Sequence, residues 1–469
     1  MRLFQLGQKF VTSLLVSLLA SALASPSLAT EHKTVKQVFD PQSKNQIVLD
    51  IEAALARTQA SQGIIPQWAA QEISANADIR FAPIDEIALE YKRVNHRMVA
   101  LLNVWTRSMD NGAGEFVHFG ATTVDIYDTA LILQLKQAAL LLIKDLREIE
   151  LSMITLAKRH RDTPMIGRTL GQHALPITFG KKVSTWLGEN RRNIERLQQV
   201  LARLERSGIL KGAVGTYLGL GDQGVATEAG FVAELGLQPA YADDWHGSRD
   251  VLAEYASVLG IISKSFGRIG SELFLLQMTD IGETAERLAG SVVGSSTMPH
   301  KKNPKKPDAL IHYSRVIPRL AEVVLDDMVN AFERDSTSRT STTLADISLQ
   351  AEQMLAVAND LIANLEVNSV AMRANIDKTN GLIMSQRATF ALAAAIGKTT
   401  ANALMHDIAV QALKENISLR EAVEKDKTAS KHLSSDQLDL LFDPTTYIGL
   451  AAEQVDQVID EVSAKRKTD

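Results

Sequence analysis

The chain has 469 residues, 45% of them hydrophobic and 22% charged, with no cysteine and a formal net charge of -5. That length supports a large core and more than one domain, while the lack of cysteine excludes disulfides, thiolate nucleophiles and Cys-ligated zinc. Acids and bases are interspersed without a basic stripe, which argues against a nucleic-acid partner, and no His-x-x-x-His pair marks a transition-metal site.

The first 29 residues read as a targeting segment. Arg2 and Lys9 form a positive start, "FVTSLLVSLLASALA" (Phe10 to Ala24) is apolar, and "SLA" (Ser27 to Ala29) is a small-x-small cleavage site. The apolar run is short for a membrane span, so a cleaved signal peptide is expected, with periplasmic export and no stable membrane insertion afterwards. Cleavage takes the net charge from -5 to -7, since no acid precedes Glu31.

Residues 30–127 are expected to form a smaller helical N-terminal domain. From Asp128 onward, Leu131, Leu135, Ala138, Leu142, Leu146, Ile149, Met153 and Leu156 recur at steps of three and four, with Leu133, Leu140 and Ile143 on another face. That pattern predicts a long helix buried on two sides. Further helical patterns cover Thr178 to Glu205, Arg249 to Leu276, Pro307 to Asn330 and Leu344 to Val367. Few alternating, strand-like runs compete with them. The expectation is an all-α protein of three helical domains: 30–127, a central bundle of about five long helices over 128–367, and a C-terminal domain over 368–469 punctuated by Gly381, Gly397 and Pro444.

Three polar segments adjoin the long helices: "VHFGATTVDIYDTA" (Val117 to Ala130), "GRTLGQHALPITFGKK" (Gly167 to Lys182) and "GSSTMPHKKNPKKPDAL" (Gly294 to Leu310). Taken singly, each reads as a turn, a helix cap or a solvated basic loop. Taken together and in order, they resemble signature blocks of the fumarase/aspartase superfamily. The third matches Gly-Ser-Ser-x-Met-Pro-x-Lys-x-Asn, a long and specific pattern. The chain is most similar to the adenylosuccinate lyase and 3-carboxy-cis,cis-muconate cycloisomerase branches: "GQHALPITFGKK" and "WHGSRDVLAEYASVLG" resemble the cycloisomerase, and "FERDSTS" resembles the lyase.

The resemblance implies a lyase that removes a proton beside a carboxylate and expels a group from the neighbouring carbon, through a carbanion delocalised into the carboxylate. Such chemistry needs a base, and cations and amide donors aimed at the developing charge. By resemblance Ser295 is the base and Lys301 the cation beside it, on a loop that closes over substrate. His118, Thr122, Thr123, Gln172, Ser296, Asn303 and Arg334 fall at substrate-binding positions. The family requires no cofactor or metal, takes a small carboxylate substrate, and shares its active sites among the subunits of a homotetramer. The resemblance implies C–N or C–O cleavage, with cycloisomerase-like lactonisation as one alternative and a non-catalytic, exported dicarboxylate-binding protein as another. One position departs from the lyase pattern: Leu170 stands where family lyases carry a histidine that serves or supports the general acid. His173 and His118 are the nearest substitutes by residue type.

Overall fold

The structure is a computed structural model that describes residues 32–243, 246–287, 297–298, 300–335 and 340–469. The signal-peptide reading, Ser295 and Ser296 with the loop closure ascribed to them, and the "WHGSRD" tryptophan lie outside the described residues.

The fold is almost entirely helical. Helices run in chain order α1 (Val35–Val38), α2 (Pro41–Ser61), α3 (Gln67–Ala75), α4 (Ile84–Val94), α5 (Arg97–Trp105), α6 (Thr123–Arg159), α7 (Phe179–Leu204), α8 (Gly224–Glu234), α9 (Asp250–Leu276), α10 (Lys305–Asp326), α11 (Ser341–Ala363), α12 (Ser369–Asp377), α13 (Ser385–Ile396), α14 (Lys398–Glu415), α15 (Leu419–Lys425), α16 (Ser435–Leu441) and α17 (Ala451–Thr468). Among the described residues, four short strands, β1 (Pro164–Thr169), β2 (Gln172–Thr178), β3 (Thr284–Glu286) and β4 (Leu365–Val367), make two antiparallel pairs, β1 with β2 and β3 with β4. The chain divides into two units built from alternating stretches: residues 1–138, 202–249 and 330–336 in one, and 139–201, 250–329 and 337–469 in the other.

In the first unit α2 starts on an Asp40 cap, whose side chain accepts from the Ser43 amide, with Pro41 at the first helical position. Ile47, Val48, Leu49, Ile51, Ala54 and Leu55 of α2 are buried, and the helix packs on α3 and α8. Two polar residues seven apart on the same helix, Glu52 and Gln59, are buried as well.

In the second unit α9 and α10 pack closely because two glycines let them. A Cβ on Gly267 would lie 2.2 Å from the Ser314 Cβ, and one on Gly270 would lie 2.8 Å from the Pro307 carbonyl oxygen. Tyr255, buried in α9, shares a 2.8 Å hydrogen bond with Ser348 of α11. Toward the C-terminus, Leu392, Met405, Ile408, Leu419, Val423 and Leu438 form a small core among α13 to α16.

The long helices follow the apolar patterning, with local differences. α6 begins at Thr123, five residues before Asp128, because the Asp125 carboxylate accepts from the Thr122 amide and secures an earlier first turn. Its second face is only partly covered: Leu133 and Ile143 are buried, while Leu140 is 48% exposed. α11 stops at Ala363, and Leu365–Val367 leave it to pair with β3. The second polar segment is a β-hairpin rather than a loop. Leu170 and Gly171 both have positive φ, 50° and 76°, which is the two-residue turn geometry that matches strand twist. A bulge between Ile166 and Arg168 spoils the alternation that would have revealed the strands in sequence.

Candidate active site

The first block occupies the turn ahead of α6, and α2 holds it from beneath. The Glu52 carboxylate, fully buried, lies 2.7 Å from His118 Nδ1. About two turns along α2, Gln59 donates a 2.6 Å hydrogen bond to the Phe119 carbonyl. His118 itself sits at φ 63°, a left-handed conformation that costs a non-glycine residue about 1–2 kcal/mol. Gly120 follows at φ 75° and meets Gly219 backbone to backbone: a Cβ on Gly219 would stand 2.8 Å from the Gly120 carbonyl oxygen. Contacts from both sides therefore fix the imidazole in a strained position.

Burial pulls the His118 pKa down, but the hydrogen bond and charge of Glu52, with the charge of Asp125, outweigh it and leave the ring above its ordinary value. Its side chain remains 19% exposed, and Nε2 has no hydrogen-bond partner among the described residues.

Thr122 and Thr123 open α6, and Asp125 anchors them. One carboxylate oxygen of Asp125 accepts from Thr122 N, and the pair of oxygens also accepts from Lys211 N and Gly212 N at 3.1 Å. His246 completes the arrangement. Its Nε2 is 3.0 Å from Asp125 and its Nδ1 3.0 Å from Asp128, which also accepts from Arg249 at 3.1 Å. Burial lowers the affinity of His246 for its proton, yet the bonds to two carboxylates reverse this and push its pKa up to about 9. Next to it, the Gly247 carbonyl accepts a 2.8 Å hydrogen bond from Asn330, on the segment that carries Arg334. Arg334 is half-buried, and its Nε is buried without a hydrogen-bond partner among the described residues.

The second unit carries the remaining described positions. Gln172 is exposed at the start of β2, and Leu170 is fully exposed at the hairpin tip. Arg168 is engaged structurally: its guanidinium grips the fully buried Glu283 through bonds of 3.0 and 2.6 Å, and Asn375 donates to the same carboxylate at 2.7 Å. His173 lies beside this pair. Burial, and then the charge of Arg168, hold its pKa below the ordinary value, and its Nδ1 is buried without a partner among the described residues. Lys301 and Asn303 are exposed just ahead of α10. The structure thus groups His118, Thr122, Thr123 and Arg334 in one unit and Gln172, Lys301 and Asn303 in the other.

Sequence reasoning passed over Glu52 and His246. Glu52 carried a signal, an acid spaced seven from Gln59 inside an apolar helix. His246 carried none, because its partners lie more than a hundred residues away.

These features belong to a known class. The chain is a member of the fumarase/aspartase superfamily: residues 29–318 match the family described as Lyase, and residues 381–458 match that described as Adenylosuccinate lyase C-terminus. It is an enzyme of lyase type, near the adenylosuccinate lyase and 3-carboxy-cis,cis-muconate cycloisomerase branches. It is 35% identical to N-acetyl-S-(2-succino)cysteine lyase of Dickeya dadantii over 427 residues, covering 91% of this chain and 93% of that enzyme. It is 36% identical to adenylosuccinate lyase of Pyrococcus abyssi over 436 residues, covering 91% and 95%. The crystal structure of 3-carboxy-cis,cis-muconate lactonizing enzyme from Pseudomonas putida superposes with a TM-score of 0.85 at 33% identity, covering 92% of this chain and 97% of that one.

Proposed function

We propose that the chain catalyses base-assisted β-elimination on a 2-substituted succinate or a related polycarboxylate, releasing a substituent bonded through sulfur or through a carboxylate oxygen. In this reading Ser295 takes the proton from the carbon beside one carboxylate. The charge spreads into that carboxylate's oxygens, where Lys301 and Asn303 stabilise it. The bond from the neighbouring carbon to sulfur or oxygen then breaks, its electron pair leaves with the heteroatom, and a conjugated C=C bond remains. Thr122, Thr123, Gln172, Ser296 and Arg334 hold the carboxylates of the substrate.

The observation that carries this reading is Leu170, an alkyl side chain at an exposed turn tip where the family's lyases place a proton donor. An amine departs poorly unless protonated. A thiol with a pKa of about 8.5, or a carboxylic acid with one of about 4, departs far more readily as the anion. The Dickeya relative's name describes a sulfur–succinate substrate, and that of the Pseudomonas structure a lactonizing reaction. Both leaving groups fit a site without an acid at that position, and lactonisation is the second reading for this reason.

The test is to offer the purified enzyme an S-(2-succino) thioether, an N-succinyl amine and 3-carboxymuconate, following the new conjugated double bond, free thiol and lactone separately. Thiol release should exceed amine release by about a hundredfold, and Leu170→His should narrow that gap. Fast amine release with no turnover of thioether or muconate would refute the reading.

A homotetramer with shared sites belongs to the same proposal. Exposed Ile261, Phe274 and Leu275 on α9 and Val323 and Leu325 on α10 support it, since helix faces of this kind are covered in bundles. Light scattering should give four chains per particle, and a fully active monomer would refute it. Export is proposed too, on the positive start, the apolar run Phe10 to Ala24 and the small-x-small site Ser27 to Ala29. The mature protein should begin at Thr30, and a periplasmic form retaining Met1 would overturn that.

A further inference from the structure

We propose that His118, seated on Glu52, donates the proton to the departing atom, a role that rests on the elimination reading above and supplies what position 170 lacks.

The geometry distinguishes His118 from His173. A proton donor needs one ring nitrogen anchored and the other presented, with a nearby anion to hold the proton in reserve. His118 has this arrangement: Nδ1 on a fully buried carboxylate at 2.7 Å, and Nε2 without a hydrogen-bond partner among the described residues on a ring that is 19% exposed. The acidic side chains that face it are Glu52 from α2 and Asp125 from α6, and together they raise its affinity for a proton against the opposing effect of burial. His173 has the reverse setting. Arg168 and Lys378 face it along with Glu283, its Nδ1 is buried and unpartnered among the described residues, and it holds its proton weakly. The backbone adds an independent indication. His118 adopts φ 63° and is held there by Glu52, by Gln59 through the next carbonyl, and by the Gly120–Gly219 contact. Strain kept by three separate contacts fixes the direction of the ring rather than its mere presence.

The step balances. The proton lost from carbon passes to Ser295. As the carbon–sulfur bond breaks, its electron pair goes to sulfur, the Nε2–H bond of His118 breaks, and an S–H bond forms. The Nδ1 proton stays on its hydrogen bond to Glu52, and the neutral imidazole regains a proton from solvent. In this scheme His118 is the catalytic residue and Glu52 the positioning residue.

The test uses a series of S-(2-succino) aryl and alkyl thioethers whose thiols differ in acidity, with the full-length enzyme. In wild type, kcat should depend weakly on leaving-group acidity. In His118→Asn, the least acidic thiols should lose about a hundredfold or more while the most acidic lose only a few-fold. An equal loss across the series, with a raised KM, would show that His118 only clamps a carboxylate and would overturn the proposal. If wild type turns over no member of the series, the elimination reading fails and the donor role falls with it. Glu52→Gln is the second probe. It should move the alkaline limb of the kcat profile to lower pH. An unmoved limb would overturn the assignment.

Discussion

Replacing His246 with glutamine removes a charge from the buried pair Asp125 and Asp128, and its cost should depend on pH in a defined direction. His246 is 1% exposed as a side chain and bonds both carboxylates at 3.0 Å. Its pKa rises from 6.5 to about 9 on folding, because the two carboxylates outweigh the opposing effect of burial. A raised pKa means the native state holds the proton more tightly, so the stabilisation is complete below about pH 6.5 and disappears as pH climbs through about 9. Each tenfold gain in proton affinity is worth about 1.36 kcal/mol, which makes the full contribution about 3 kcal/mol. It should be about 2 kcal/mol near pH 7.5 and close to zero at about pH 9.5. Urea unfolding of wild type and His246→Gln at these pH values, read by circular dichroism, gives the difference directly. A gap that stays constant from about pH 5.5 to about pH 9.5 would show that His246 acts through packing or neutral hydrogen bonds, and the charged-network argument would be refuted.

Three further outcomes follow, the first from the proposed reaction and the other two from the fold. Ser295→Ala should lower kcat by about a hundredfold or more with little change in substrate affinity, measured by steady-state kinetics and ligand titration. Gly267→Val should destabilise the protein by about 1–3 kcal/mol, because its branched side chain meets Ser314 where even a methyl has no room; thermal unfolding measures this. Arg191→Ala should cost about 3 kcal/mol, since Arg191 bonds the buried Glu150 at 2.8 and 2.7 Å, and among the described residues only Arg466 would remain on that carboxylate.

The helical class was legible in the sequence because long amphipathic helices repeat their pattern over many turns. The apolar run from Val251 to Leu276 corresponds closely to α9, and Thr178 to Glu205 to α7. Boundaries were less legible wherever one side chain sets them, as Asp125 does for α6. The β1–β2 hairpin was hidden because a bulge breaks its alternation, and because Leu170 is not a residue whose type announces a positive φ. The three polar blocks were visible as composition. The residues that tune them were not, since Glu52 lies 66 positions from His118 and His246 lies 118 positions from Asp128. Electrostatic partners so distant in sequence meet only after folding, and no local period records them.

The close approach of α9 and α10 at Gly267 and Gly270 bears on how this part of the molecule opens. Ser314 and Leu310 of α10 press directly on the α9 backbone at these two glycines, so neither helix can lift away at those turns without uncovering the other. Hydrogen exchange along the facing turns should therefore share one rate, set by a cooperative opening of both helices together. A graded pattern that frays from the helix ends would be the signature of looser packing. The two glycines act in this sense as a clasp on the timescale of unfolding, joining some fifty residues, from the start of α9 at Asp250 to the end of α10 at Asp326 less the connection between them, into a single kinetic unit.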